Sequence, residues 1–279
     1  MEMVETTWRT YHARDFTRLQ YVFHESRKGQ GKYAIILIHG ITAELSHQEK
    51  FAQAIKVEAD VFLPILRGYD QLNKRGDLTY IGHYDNDLFD FIHHIKKMGY
   101  EKIILAGHSM GCANILRLLS QNRNIADQFV FISPFFHPTL PVYRDDATEQ
   151  FKPETDVDYT VYQKKIILLM TLYKMNIHRF SHKTVAIIPD EFDDSGILQL
   201  SFRLMASRFL EKIPSDLFEG IENQVFTFVG GKDEVVVAEQ LESWYREKFD
   251  LELNIIEETD HNHILHDSNF HHRLFDYIK

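Results

Sequence analysis

Residues 102–111 read KIILAGHSMG, and the fold of the whole chain is read outward from them. Ile103, Ile104 and Leu105 form an apolar run suited to a strand buried on both faces, and Gly107-His108-Ser109-Met110-Gly111 fits G-x-S-x-G. A helical pattern follows at once, with Ile115, Leu116, Leu118 and Leu119 apolar. Strand, tight turn and helix in that order are the setting in which this pentapeptide carries chemistry. The turn lifts the Ser109 hydroxyl above the sheet edge, and Gly107 and Gly111 stand where a Cβ has no room. The Met110 N–H, opening the helix, then points where negative charge develops on a substrate oxygen. A plain Gly-flanked turn with a serine at its tip reads the same way locally, so the decision passes to the rest of the chain.

Upstream and downstream the pattern is one of continuous apolar runs separated by helices. Runs at 33–38, 60–66 and 128–133 lack polar alternation, as expected for parallel strands covered on both faces. A helix is expected at 44–58, and another at 85–98, which places Leu88, Phe91, Ile92 and Ile95 on one face and stops at Gly99. Two short strands at 8–11 and 19–23, joined by a turn at 13–16, precede them. This alternation implies an α/β fold with a mainly parallel sheet and helices on both faces.

The rhythm breaks at 134–220. Helical patterns occupy 159–175 and 198–213, with a short β-like run at 185–188 that finds no place among core strands. A segment this long between two core strands reads as an inserted, mainly helical cap. Core rhythm resumes with a strand at 224–229, a helix at 236–249, a strand at 251–257, a His-rich loop and a closing helix at 268–278. The expected organisation is thus core at 1–133, cap at 134–220, and core again at 221–279.

Lys plus Arg number 31 against 41 Asp plus Glu, a net charge of −10 over 279 residues, which argues against nucleic acid and anionic membrane surfaces as partners. Cys112 is the only cysteine, so no intrachain disulfide forms. The N-terminal MEMVETTWRT has no apolar leader pattern, and no apolar run is long enough to span a bilayer. A cytoplasmic protein without stable membrane insertion is the expectation.

A serine hydroxyl is a poor nucleophile until a neighbouring base takes its proton, and the base needs an acidic group to hold its tautomer and stabilise its charge. Two late loops can supply these. Asp233 follows the strand run QVFTFV, with Glu234 beside it as second choice. The base is expected at His263, in DHNHILH at 260–266, because Ile264 and Leu265 can anchor that loop; His261 stays open, and His266 reads as the start of the closing helix. The cluster also resembles the H-x-H-x-D-H zinc motif of metallo-β-lactamase-type hydrolases. Leu265 stands where the Asp of that motif belongs, and only 13 residues follow His266 to carry further ligands. No metal and no cofactor is expected.

With these motifs in hand, the chain resembles the α/β-hydrolase superfamily, within it the branch of small carboxylesterases, monoacylglycerol lipases and serine aminopeptidase-like hydrolases. The resemblance rests on ILIHGIT at 36–42, LRGYD at 66–70, AGHSMG at 106–111, GGKDEVV at 230–236 and DHNHILHD at 260–267. It spans most of the core and leaves out the cap. It implies an α/β-hydrolase fold with Ser109 as nucleophile, Asp233 as acid, His263 as base, and the Ile41 and Met110 amides as oxyanion donors. Two positions depart from the pattern: Cys112 stands where many relatives have Gly, and Tyr69-Asp70 replace the more usual His-Gly, a change expected to alter the entrance. The implied reaction is hydrolysis of a small-molecule acyl ester of short or medium chain, monoacylglycerol and lysophospholipid included. Peptidase, amidase and carbon–carbon bond hydrolase chemistry use the same triad, and a non-catalytic relic of the fold stays open as well. The run at 166–170 either lines an acyl pocket or packs the cap on the core.

Overall fold

The computed structural model describes residues 7–26, 32–43, 45–55, 59–144, 160–190, 192 and 194–278. The chain opens with a hairpin, β1 (Thr7–His12) and β2 (Arg18–His24), paired antiparallel. Its turn is closed by Phe16 N–H donating to the Ala13 carbonyl at 2.8 Å, with Phe16 at a positive φ of 64°. The apolar runs then become β3 (Tyr33–Ile38), β4 (Asp60–Pro64), β5 (Lys102–His108) and β6 (Gln128–Ile132), nearly every residue of them buried. Between them lie α1 (Leu45–Ile55), α2 (His83–Lys96) and α3 (Met110–Leu119). The expected ends of the first helix, at 44 and 56–58, fall outside the described residues. On α2 the four apolar positions read from its periodicity are all buried, and Gly99 follows it at φ 85°.

The second core part supplies β10 (Val225–Gly230), α6 (Ala238–Phe249), β11 (Asn254–Ile256) and α7 (Ser268–Ile278). The main sheet has eight strands in the order β1-β2-β4-β3-β5-β6-β10-β11. From β4 to β11 every pairing is parallel; only β1 with β2 and β2 with β4 run antiparallel. The chain goes from β3 sideways to β4, then returns past β3 to β5, so the order reverses between β3 and β5. At such a switch point the loops leaving the carboxyl ends of the two strands diverge and open a crevice. Here those loops begin at His39 and Ser109.

Between β6 and β10 the described residues add both helices and strands. They form β7 (Thr160–Val161), α4 (Gln163–Lys174), β8 (Thr184–Pro189), β9 (Ile197–Ser201) and α5 (Phe202–Ala206), and the three strands make a separate antiparallel sheet. The expected helix at 198–213 begins instead as β9, which pairs antiparallel with β8. Local apolar spacing could not separate the two, because a short apolar run fits either period. The β-like run at 185–188 is the middle of β8.

Polar ties fasten this cap to the core loop at 67–82. Arg75 forms a forked pair with Asp190, its Nη2 at 2.8 Å, and Arg203 Nε donates to Asp77 at 2.6 Å. Strand β9 meets Gly76, whose carbonyl accepts from the Ser201 N–H at 2.8 Å; a Cβ at Gly76 would fall 2.0 Å from the Gln199 carbonyl oxygen. Helix α4 is more loosely held, with Leu169 buried and Ile167 and Leu168 exposed. Among the described residues no helix is long and apolar enough to cross a membrane.

Candidate active site

Ser109 sits between β5 and α3 at φ 53° and ψ −122°, a conformation that costs a non-glycine residue free energy and persists only where the surroundings enforce it. They do so through its backbone. The Ser109 N–H donates to the Ile132 carbonyl at 3.0 Å, and its carbonyl accepts from Cys112 and Phe135, both at 3.1 Å. The flanking glycines are required by closeness: a Cβ on Gly107 would fall 2.7 Å from the Cys112 nitrogen, and one on Gly111 2.1 Å from the Ile38 carbonyl oxygen. Gly40, on the loop after β3, lies so near the elbow that its Cβ would stand 3.2 Å from that of Ser109.

The loop after β10 presents Asp233, fully buried. Its Oδ1 accepts from the Val235 and Val236 N–H groups at 2.9 and 2.8 Å. Its partner is His261, whose Nδ1 lies 3.0 Å from both carboxylate oxygens. A carboxylate only accepts, so Nδ1 carries the proton and Nε2 keeps the lone pair. The His261 backbone is clipped twice more, its N–H donating to Glu234 at 3.1 Å and its carbonyl accepting from His108 Nε2 at 2.8 Å. Burial alone would pull the His261 pKa down; the Asp233 charge and hydrogen bond, with Glu234 and Asp260, outweigh it and hold the imidazole above its ordinary value. Burial likewise pushes Asp233 up, and the His261 contacts and the Val236 N–H bring it below the usual carboxylate range. His108, by contrast, is driven down to about 3 by burial first and by His261 next, and stays neutral.

The expectation of His263 at this position is corrected. His263 is exposed and turns to Asp260, with Nδ1 2.7 Å from Oδ2, an i,i+3 partner that holds it away from Asp233. His266 does not start the closing helix; it ends a 3-10 turn at His263–His266 and meets His47 of α1 end to end, nitrogen to nitrogen at 3.0 Å. The three histidines of the H-x-H-x-x-H run therefore face three different partners. Among the described residues no group of three or more His, Cys, Asp or Glu side chains is placed to hold a metal ion.

Ser109 and His261 line one cavity, at the crevice where the strand order reverses, together with Gly40, Ile41 and Leu265. Its volume is about 30 Å³. Thr42, His47, Gln48 and Asn262 give much of its wall a polar character. The apolar run at 166–170 takes no part in that wall.

A family model described as alpha/beta hydrolase fold matches residues 33–179, more than half of the chain. The chain belongs to the alpha/beta hydrolase family. Among solved structures, this hydrolase is similar to a soluble variant of monoglyceride lipase from Saccharomyces cerevisiae in complex with a substrate analog, at 17% identity and a TM-score of 0.68 over 99% of this chain and 94% of the other. It is also similar to E-2-(acetamidomethylene)succinate hydrolase, at 16% identity and a TM-score of 0.63 over 98% and 99% of the two chains. A carboxylesterase from Bacillus subtilis follows at 14% identity and a TM-score of 0.57, over 99% and 92%. No curated protein matches by sequence.

Three features of the hydrolase's site were not read from sequence. His108 was only the unassigned residue of the G-x-S-x-G turn, Glu234 only an alternative acid, and His47 had no signal at all, since each acts through a contact distant in sequence. The two departures from the family pattern resolve differently. The Cys112 thiol is buried against the Gly107 carbonyl at 3.0 Å, and burial pushes its pKa far up. Tyr69 does not stand at the entrance: it is buried, edge-on to the His39 ring.

Proposed function

We propose that this hydrolase cleaves carboxylic esters through an acyl-enzyme on Ser109, with His261 as general base and Asp233 as its orienting acid. The observation that carries this reading is the His261–Asp233 pair, buried, proton on Nδ1, and opening on the same small cavity as a serine held at positive φ. In the first half-reaction His261 Nε2 takes the Ser109 proton as Oγ attacks the ester carbonyl. The tetrahedral oxyanion is stabilised by the Ile41 and Met110 N–H groups, the latter reinforced by the first turn of α3. The imidazolium then gives its proton to the departing alcohol. Water, activated by the same base, cleaves the acyl-enzyme and restores Ser109.

The half-polar lining of this cavity, without the apolar run at 166–170, favours short acyl groups over long chains. Hydrolysis of a p-nitrophenyl ester series should peak at the short end, and Ser109→Ala should remove it along with labelling by a fluorophosphonate. Turnover that persists in Ser109→Ala rejects the acyl-enzyme, and a maximum at octanoyl or longer rejects the small-acyl assignment.

A further inference from the structure

Arg208, in the cap segment after α5, has no exposed surface. Its guanidinium is met by neutral groups: Nη1 donates to the His39 carbonyl at 3.0 Å and to Asn114 Oδ1 at 3.1 Å, and Nη2 donates to the Gly40 carbonyl at 3.2 Å. The rings of Tyr69 and Tyr84 stand 5.2 and 5.3 Å from its central carbon. Burying a cation is costly unless hydrogen bonds replace its water, and here they come from the loop after β3 and from α3 beneath the nucleophile.

The Gly40 carbonyl has a second donor. The Leu66 N–H donates to His39 Nε2 at 3.2 Å, which assigns the ring proton to Nδ1, and Nδ1 lies 2.7 Å from the Gly40 oxygen. Burial, then the nearby Arg208 charge, drives His39 down to about 3, so it stays in this neutral form. Two buried donors thus hold one carbonyl. The described chain has no cis peptide bond, and in a trans peptide the N–H points opposite to the C=O. With the Gly40 oxygen drawn into the interior, the Ile41 N–H faces outward, into the cavity that Gly40, Ile41 and Ser109 share.

We propose that Arg208 is a positioning residue of the hydrolase: acting from the cap, it fixes the plane of the Gly40–Ile41 peptide so that the Ile41 N–H faces Ser109. The inference rests on the acyl-transfer reading for its catalytic consequence, but not for the peptide orientation itself. Lysine keeps the charge yet cannot span three oxygens with a rigid fork, and methionine keeps the bulk without a donor.

The test uses Arg208→Lys and Arg208→Met in full-length protein labelled with 15N-isoleucine. Each is checked for fold by circular dichroism, and the lysine variant carries the test if the methionine variant does not fold. In the free protein the Ile41 amide resonance should shift in both variants. With phenylboronic acid bonded to Ser109, it should move downfield in wild type and less in the variants. On a short-chain ester, kcat should fall about a hundredfold with KM little changed, the pattern of a lost oxyanion donor and not of a merely destabilised fold. A folded variant with wild-type kcat and an unmoved Ile41 resonance overturns the proposal, as does a wild-type boronate adduct that leaves Ile41 unaffected. If wild type neither hydrolyses esters nor bonds the boronate, the acyl-transfer reading falls, while the Ile41 resonance of the free variants still decides the peptide orientation.

Discussion

At the position of the base, two histidines two residues apart have opposite surroundings, and the difference sets the outcome of substitution. His261 is buried on Asp233, so His261→Ala should lower kcat by at least about a hundredfold, the usual share of a general base. His263→Ala removes an exposed side chain and should leave kcat close to wild type; equal losses in the two variants would reject the assignment. The pH profile carries the same assignment. A base works unprotonated, and the pKa of His261 is raised, so the acidic limb of kcat/KM should have its midpoint above the ordinary His value of about 6.5. A midpoint below that value would mean that Asp233 does not govern the ring. That the loop after β10 would bring Asp233 to the His-rich loop was legible in the chain order. Which histidine meets Asp233 was not, since that depends on Asp260 capturing His263 three residues away and on His108 and Glu234, from other strand ends, clipping the His261 backbone.

Among the elements, the packing of α3 on β3 and of β9 on the core loop are both decided by glycines. A Cβ at Gly111 would press within 2.1 Å of the Ile38 carbonyl oxygen, and backbone on backbone has no rotamer with which to yield. Gly111→Ala should therefore destabilise by about 1–3 kcal/mol, as overpacking does, and disturb the Met110 N–H with it. Gly99→Ala differs: its φ of 85° is strained for alanine, but nothing lies within 4 Å of the new atom, so its loss should be the smaller. Urea denaturation of the two variants checks the order. Core strands were readable as uninterrupted apolar runs because both faces of the sheet are covered. β11 came out shorter than expected, and β9 was taken for helix, because each is defined by a neighbour and not by its own pattern.

For the whole molecule, the question is how firmly the cap sits. Asp77 is held well below the usual carboxylate range: burial opposes this, and Arg203 and Lys74 outweigh it. A carboxyl with a depressed folded pKa contributes stability above its unfolded value of about 4 and loses it as pH falls further. Limited proteolysis should therefore find the segment around β8 and β9 resistant at neutral pH and increasingly cut as pH falls from about 4 toward the lower folded pKa of Asp77, with Arg203→Ala cut already at neutrality. Resistance unchanged by acid and by the variant would show that apolar packing alone seats the cap. The charged ties were not visible in the sequence, because they join residues more than a hundred positions from each other.

One consequence belongs to the thiol beneath the elbow. The chain holds one cysteine, and it is sealed between α3 and the ends of β5 and β6. A chromogenic disulfide reagent can reach it only when that helix lifts from the sheet. The rate at which colour appears in native buffer is thus a clock for opening of the region that carries Ser109, free of background from any other sulfhydryl and readable without a substrate.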